Sequence, residues 1–345
     1  MTVVLVFGFL TALLLLIVVI VDVVLATRAF PGALIVVVAL ALLFIALQWA
    51  VSPWVVRLAI RGRRPVTRES NPWLDDTVSD LAQQAEVPMP RISVSSDAGP
   101  NAFVFGRTLG SAELVVTDGL LRELNQEEIR AVIAHEIGHL RHRDVIIVTF
   151  ASSVPLLAYI LARLGFEALR GTGRIRSRDK GAGQGILIAV LVAILSYAIY
   201  LVTQLLVLYL SRTREYYADA YSAAATKDPH LLASALTKIS FGLSLARRQS
   251  EPSGLRAFYI GDPVKASSDY GILRERMARY DIDRDGQLDS FELQQALQAE
   301  RRNPWTRANE LFRTHPPIFK RILMLEQIEE EILRGGLPAD VYKFV

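Results

Sequence analysis

Two of the chain's five histidines stand four residues apart, at His135 and His139, and Glu136 directly follows the first. On a helix, residues four apart point in directions differing by only about 40°, so the two imidazoles address one point. Neutral imidazoles there can bind one Zn2+, and Glu136 stands beside the metal as a base for an activated water. Two ligands do not complete such a site. Catalytic zinc takes three protein ligands and keeps a fourth position open. The chain has no cysteine, so the third must be a histidine or a carboxylate. The stretch Ser211-Arg-Thr-Arg-Glu-Tyr-Tyr-Ala-Asp-Ala220 offers one. Glu215 would be the ligand, and Asp219, one turn later on the same face, an acid able to hold a ligating histidine. Alone, charges at that spacing describe a solvated helix face. Beside His-Glu-x-x-His they describe the missing half of a metal site.

A second constellation, Asp281-Ile-Asp-Arg-Asp-Gly-Gln-Leu-Asp-Ser-Phe-Glu292, fits the EF-hand loop at each diagnostic position. Asp281, Asp283 and Asp285 supply side-chain ligands, and Gln287 offers its carbonyl. Asp289 reaches through water, Glu292 closes the site in bidentate fashion, and Gly286 permits the sharp turn. Helices over 269–280 and 291–301 would flank the loop. The pattern predicts one Ca2+. EF-hands usually work in pairs, and the chain holds no second loop of this kind.

These residues need a scaffold, and a chain of 345 residues that is 52% hydrophobic is too apolar for an ordinary soluble domain. Four runs, 3–26, 33–56, 145–164 and 186–210, reach the roughly 20 apolar residues that cross a bilayer. The first lacks the basic start of a signal peptide and exceeds its usual apolar length, so it reads as a membrane segment. Arg57, Arg61, Arg63, Arg64 and Arg68 follow the second run with no acid before Glu69. By the positive-inside rule that side is cytoplasmic. Two further runs separate His139 from Glu215, an even number of crossings, so both halves of the metal site return to one side. Arg170, Arg174, Arg176, Arg178 and Lys180 in the intervening loop oppose this orientation, and Arg141, Arg143, Arg212 and Arg214 outweigh them. A net charge of +3 gives no nucleic-acid signature.

The expected fold is a mainly α integral membrane protein, with four apolar helices and a cytosolic α+β domain. Its parts are an N-terminal transmembrane hairpin (1–56), a first segment of the zinc-site domain with the His-Glu-x-x-His helix (57–144) and a second membrane hairpin (145–210). The remainder (211–345) carries the third zinc ligand and the EF-hand-like insert at about 269–301. Helices are predicted over 72–85, 211–226, 229–247 and 317–334, and strands over 91–95, 101–106 and 113–117. Asn125, with Glu128 three residues on, forms a capping-box pattern opening the His135 helix.

In these motifs the chain resembles the HtpX family of membrane-bound zinc metalloproteases, related to the CAAX prenyl endopeptidases. The shared marks are a leading membrane hairpin, His135-Glu-Ile-Gly-His139 before a second hairpin, and Arg214-Glu-Tyr-Tyr-Ala-Asp219 after it. Asn101-Ala-Phe103 upstream and Thr314-His-Pro-Pro317 near the end complete the set. The resemblance implies a gluzincin-type zincin domain on the cytoplasmic face of the cell (inner or plasma) membrane. It would cleave polypeptides, membrane proteins among them, in quality control. It also implies one catalytic Zn2+ on His135, His139 and Glu215, with Glu136 as base and Asp219 behind a ligand. Asn101, Ala102 and Phe103 would lie along the substrate, and His315 would donate to the reacting carbonyl as a second catalytic group. The calcium loop stands outside that family's pattern. Lying between Glu215 and His315 in the chain, it suggests Ca2+ as a modulator.

Other readings compete. A non-catalytic, zinc-stabilised membrane scaffold would have no need of Glu136. An intramembrane protease would bury the His-Glu-x-x-His helix, yet Glu127, Glu128, Arg130, Arg141 and Arg143 surround it. A calcium sensor with a vestigial protease domain would not keep every catalytic position filled.

Overall fold

The computed structural model describes residues 53–144, 182–246, 266–282, 310–335 and 340–345, with isolated positions between them. The chain divides into two compact units, Met1–Val51 with Ile147–Leu210, and Ser52–Ile146 with Ser211–Val345.

The second unit opens on a small sheet of β1 (Arg64–Val66), β2 (Arg91–Ser95), β3 (Ala102–Phe105) and β4 (Glu113–Thr117), in the order β1-β2-β4-β3. β2 and β4 run parallel, and the other pairs are antiparallel. The three predicted strands are present. β1 was not predicted, because an arginine-rich stretch reads as membrane-flanking charge. It is held by its antiparallel ladder to β2, and the arginines before it tie the same segment to Glu113. Glu113, fully buried at the start of β4, accepts from Ser93 Oγ at 2.7 Å and Arg63 Nε at 2.5 Å, and Arg57 lies at 3.1 Å. These partners hold its carboxyl below the ordinary range although burial opposes them.

Helix α1 (Pro72–Gln84) starts with Pro72 in its first turn, and the Asn71 side chain accepts from Leu74 N–H at 3.1 Å. It buries Leu74, Val78 and Leu81, one side of an amphipathic stripe. After the short helix α2 (Asp118–Glu123), helix α3 (Gln126–Arg141) opens on the predicted capping box. Asn125 Oδ1 accepts from Glu128 N–H and Glu128 Oε2 from Asn125 N–H, each at 2.9 Å. Its apolar face, Ile129, Val132, Ile133, Ile137 and Leu140, is buried as the pattern predicts.

Helix α4 (Ala182–Thr226) runs unbroken for 45 residues. The sequence suggested an apolar segment to 210 and a separate helix from 211. No proline or glycine interrupts Leu210-Ser-Arg-Thr-Arg214, so the backbone simply continues. Among the described residues, one helix is long and apolar enough to cross a membrane, Ala193–Thr226. The run at 3–26, and most of those at 33–56 and 145–164, lie outside the described residues. Helices α5 (Pro229–Ala246), α6 (Ala266–Tyr280) and α7 (Ile318–Gly335) and a 3-10 turn (Val341–Phe344) complete the second unit. Of the calcium loop, only Asp281, Ile282 and Glu292 are described, with Ile282 N–H donating to Glu292 Oε1 at 2.5 Å. Asp283, Asp285, Gln287 and Asp289 lie outside the described residues.

Candidate metal centre

Helix α3 presents His135 and His139 from adjacent turns, and their Nε2 atoms stand 3.2 Å apart. Glu215 on α4 meets them from the other side. Its Oε2 lies 3.7 Å from His135 Nε2 and its Oε1 3.7 Å from His139 Nε2. Tetrahedral zinc with bonds of about 2.0–2.1 Å sets ligand–ligand edges of about 3.3–3.5 Å, so these three corners fit one ion. Glu136 also brings an oxygen within 4.8 Å of both ring nitrogens. Its Oε2, however, accepts the Val104 N–H at 3.1 Å, which leaves Glu215 as the better third corner.

Orphaned polar atoms point the same way. Among the described residues Glu215 Oε2 makes no hydrogen bond, and neither ring nitrogen of His315 makes one. Arg321 Nη1 stands 3.3 Å from Glu215 Oε2, an ion pair without a hydrogen bond, and a metal ion would give the carboxylate a direct partner. His315, on the turn before α7, has Nδ1 3.3 Å from Glu215 Oε1 and is 15% exposed in its side chain.

Close approach of the two ligand helices depends on Gly138. A Cβ there would stand 3.1 Å from Tyr221 Cδ1 and 3.2 Å from Ala218 Cα. Ser222 Oγ on α4 donates to the Ala131 carbonyl at 2.7 Å, a further tie between the helices.

Each imidazole is oriented by a carboxylate that an arginine grips in turn. His135 Nδ1 lies 2.9 Å from Asp219 Oδ1. Arg321 Nη2 and Nε donate to the two Asp219 oxygens at 2.6 and 2.8 Å. Likewise His139 Nδ1 is 2.7 Å from Asp144 Oδ2, and Arg214 pairs with Asp144. A carboxylate at Nδ1 favours, in the neutral ring, the tautomer whose Nε2 lone pair faces Glu215, the form that would ligate a metal. Arg214 also donates to the His142 carbonyl at 3.1 Å, fixing the C-cap of α3. The backbone reverses at Arg143, with φ at +58°, which brings Asp144 back under His139.

Asp219 was read from the sequence, while Asp144, Arg321 and the gripping role of Arg214 were not. Asp144 lies beyond the helix end, where helical spacing predicts nothing. Arg321 sits 102 residues from its partner, on a helix that reads as amphipathic.

Burial governs the electrostatics. It pushes the Glu136 carboxyl up to about 7, with Glu215 adding to the shift and His139 opposing it. Burial also works against a charged His139, but Asp144, Glu215 and Glu136 outweigh it and hold that ring at about 9. Burial lowers His135 despite Asp219.

Asn101 lies at the head of β3. Its Oδ1 accepts from Ile260 N–H at 3.0 Å, and Arg321 Nη1 donates to the Ile260 carbonyl at 3.0 Å, so both main-chain groups of Ile260 are held. Asn101 O accepts from Thr117 N–H, which makes it an inward-bonded residue of the β3–β4 ladder. By alternation Phe103 faces inward too, and Ala102 and Val104 turn their N–H and C=O away from β4. β3 is an outer strand of the described sheet, and its residues are buried.

Residues 68–329 match the model of Peptidase family M48. A protease HtpX homolog of Aeropyrum pernix is 33% identical over 299 residues, 86% of each chain. One from Methanothermobacter thermautotrophicus is 38% identical over 208 residues, 60% of this chain and 74% of that one. The crystal structure of S. mikatae Ste24p superposes with a TM-score of 0.48 at 16% identity, over 92% of this chain and 62% of that chain. A buried His-His-carboxylate cluster with an adjacent glutamate defines the class as a metal-dependent hydrolase. The chain belongs to peptidase family M48 and is a zinc metalloprotease.

Proposed function

We propose that this protein is a membrane-bound endopeptidase whose one zinc is held by His135, His139 and Glu215. It would cleave misfolded or membrane-embedded polypeptides on the cytoplasmic side. The observation that carries this reading is the 3.2–3.7 Å triangle of His135 Nε2, His139 Nε2 and the Glu215 carboxylate, with Glu136 beside it. When bound, zinc supplies Lewis-acid polarisation of the scissile carbonyl and lowers the pKa of a water.

The chain's own groups do the rest. Glu136 takes the proton of the attacking water and returns it to the leaving amine. Val104 N–H holds Glu136 Oε2, leaving Oε1 to carry that proton. His315 donates to the carbonyl oxygen as it gains charge. Asp219 and Asp144 hold the two imidazoles in register. Ala102 offers its N–H and C=O, and Val104 its C=O, to an extended substrate, a sequence-tolerant mode suited to varied polypeptides, with Asn101 and Phe103 anchoring the strand. Since β3 is buried in this conformation, substrate pairing entails local opening.

The finer parts of the reading rest on sequence. The apolar runs would form two hairpins flanking the protease segments. The loop 281–292 would bind one Ca2+, and its place between Glu215 and His315 makes it a modulator of the cleft. Chelating calcium with zinc retained should change the cleavage rate, and an unchanged rate would reduce the loop to a structural element. The main reading is tested by Glu215→Ala in proteoliposomes. Zinc content and cleavage of an unfolded membrane substrate should fall together. Full zinc occupancy in the variant would remove Glu215 from the ligand set.

A further inference from the structure

Helix α3 carries His139 in its last turn, and the chain leaves the helix through His142, Arg143 and Asp144. Where Asp144 stands under His139 therefore depends on how firmly His142 is held. Both main-chain groups of His142 are tied. Its N–H donates to the Gly138 carbonyl at 3.0 Å, and its carbonyl accepts from Arg214 Nη2 at 3.1 Å. Arg214 in turn pairs with Asp144, whose Oδ2 stands 2.7 Å from His139 Nδ1.

The His142 side chain is held as well, by a residue 200 positions further along the chain. Tyr342, on the 3-10 turn Val341–Phe344, brings its hydroxyl to 3.1 Å from His142 Nε2. Its ring meets the imidazole edge-to-face, with centroids 5.5 Å apart. Tyr217 and Tyr221 of α4 meet the same imidazole edge-to-face at 5.8 and 6.2 Å. These are separations that aromatic rings favour. Tyr342 also stands 5.3 Å from the Tyr217 ring, and the Arg214 guanidinium lies over that ring at 5.4 Å. Tyr342 thus touches both the residue whose carbonyl anchors Arg214 and the ring on which the guanidinium rests. The turn that carries it is itself anchored. Asp340 accepts the Tyr342 N–H at 2.9 Å, Val341 is buried, and Lys343 pairs with Glu331 on α7.

We propose that Tyr342 is a positioning residue of the metal centre, acting through His142 and Arg214 on Asp144 and so on the orientation of the His139 ring. It touches neither metal nor substrate, and its role rests on the reading of His139 as a zinc ligand. Without Tyr342, the His142 ring loses one wall and its hydroxyl partner, Arg214 loses a fixed anchor, and Asp144 follows the guanidinium. His139 then meets its metal with a looser ring. The partner directly behind a ligating histidine typically matters about 10–100-fold in metal affinity, so a residue further out should matter less, about 3–10-fold.

Full-length protein in detergent, stripped of metal, would be titrated with zinc against a chromophoric chelator. A parallel titration with Co2+ would follow the visible bands that report ligand geometry. Tyr342→Ala should bind zinc about 3–10-fold more weakly and alter the cobalt bands. Tyr342→Phe keeps the ring, loses the hydroxyl, and should fall between that variant and the wild type. Lys343→Ala cuts the neighbouring tie of the same turn and should bind zinc like the wild type. In an Asp144→Ala background Tyr342→Ala should cost no further affinity, because the path to His139 is already cut. A merely structural contact gives a different pattern, a lower Tm of the metal-free Tyr342→Ala protein with wild-type zinc affinity and cobalt bands, and that result overturns the proposal. An equal loss in Lys343→Ala, or an undiminished loss in the Asp144→Ala background, overturns it too. His139→Ala keeps the two readings apart. Lost zinc there beside wild-type binding in Tyr342→Ala overturns the positioning role alone, while full zinc binding in His139→Ala overturns the ligand reading beneath it. If Tyr342→Ala fails to fold, Tyr342→Phe decides, and wild-type zinc affinity in that variant overturns the role.

Discussion

Replacing Arg321 by methionine keeps much of the side chain's volume and removes its charge. The guanidinium is fully buried, donates two charge-assisted hydrogen bonds to Asp219 and one to the Ile260 carbonyl, and has Nη1 3.3 Å from Glu215 Oε2. Removing one partner of a buried ion pair typically costs about 3–5 kcal/mol, because the other charge is left in the dark. For a domain of this size each kcal/mol moves Tm by about 2–4 °C, so a fall of roughly 6–20 °C is expected. The damage should also reach the metal. Asp219 loses the groups that fix it against His135, and loss of such a supporting partner typically lowers metal affinity about 10–100-fold. Thermal unfolding in detergent and zinc competition against a chromophoric chelator read the two effects separately. The double variant Arg321→Met with Asp219→Asn removes both members of that pair and should be less destabilised than the sum of the single variants. A Tm shift under about 2 °C for Arg321→Met, with unchanged zinc affinity, would refute this account of the clasp.

Gly138→Ala gains about 1 kcal/mol of helix propensity but pushes a methyl against Ala218 Cα and Tyr221, so α3 and α4 must part by a few tenths of an ångström. Stability should change by under about 2 kcal/mol while zinc affinity falls measurably in the same chelator assay. Glu113→Gln strips Arg57 and Arg63 of a buried acid and should cost about 2–4 kcal/mol, seen as a lower urea midpoint. Glu326 gives a pH dependence. Burial, with Glu329 nearby, raises its carboxyl from 4.5 to about 8, and its Oε2 lacks a hydrogen bond. The folded state therefore binds the extra proton, so stability is fullest below pH about 4.5 and declines as pH rises to about 8. Glu326→Gln should flatten Tm across that window, and an equal slope in both proteins would count against the assignment.

What the sequence disclosed follows from how local each signal is. The His135–His139 pair and the Asn125 capping box are written within one helix, where a fixed period converts spacing into geometry. Glu215 was legible because its stretch pairs an acid with Asp219 at helical spacing, although 76 residues of chain separate it from His139. β1 and Asp144 were not legible. The first is a three-residue strand paired to β2 just after arginines that bond Glu113, the second depends on a left-handed residue at Arg143, and neither leaves a periodic trace. Arg321 could have been suspected only from the need for a cation beside two clustered acids, since nothing in an amphipathic helix marks a buried arginine. The merging of the apolar run with the Glu215 helix shows the reverse limit. A change from apolar to polar composition was read as a boundary, but composition changes solvent preference without breaking a helix.

The most direct test of the account compares the wild-type protein with Glu136→Gln at matched zinc content. Cleavage of an unfolded membrane substrate in proteoliposomes would be followed by gel. The substitution keeps size and shape, removes the carboxylate that carries the proton, and leaves His135, His139 and Glu215 in place. Zinc binding should be retained while cleavage falls at least about 100-fold, the least that general-base catalysis typically contributes. A variant that keeps its zinc and still cleaves at the wild-type rate would contradict the assignment of Glu136 and the mechanism built on it.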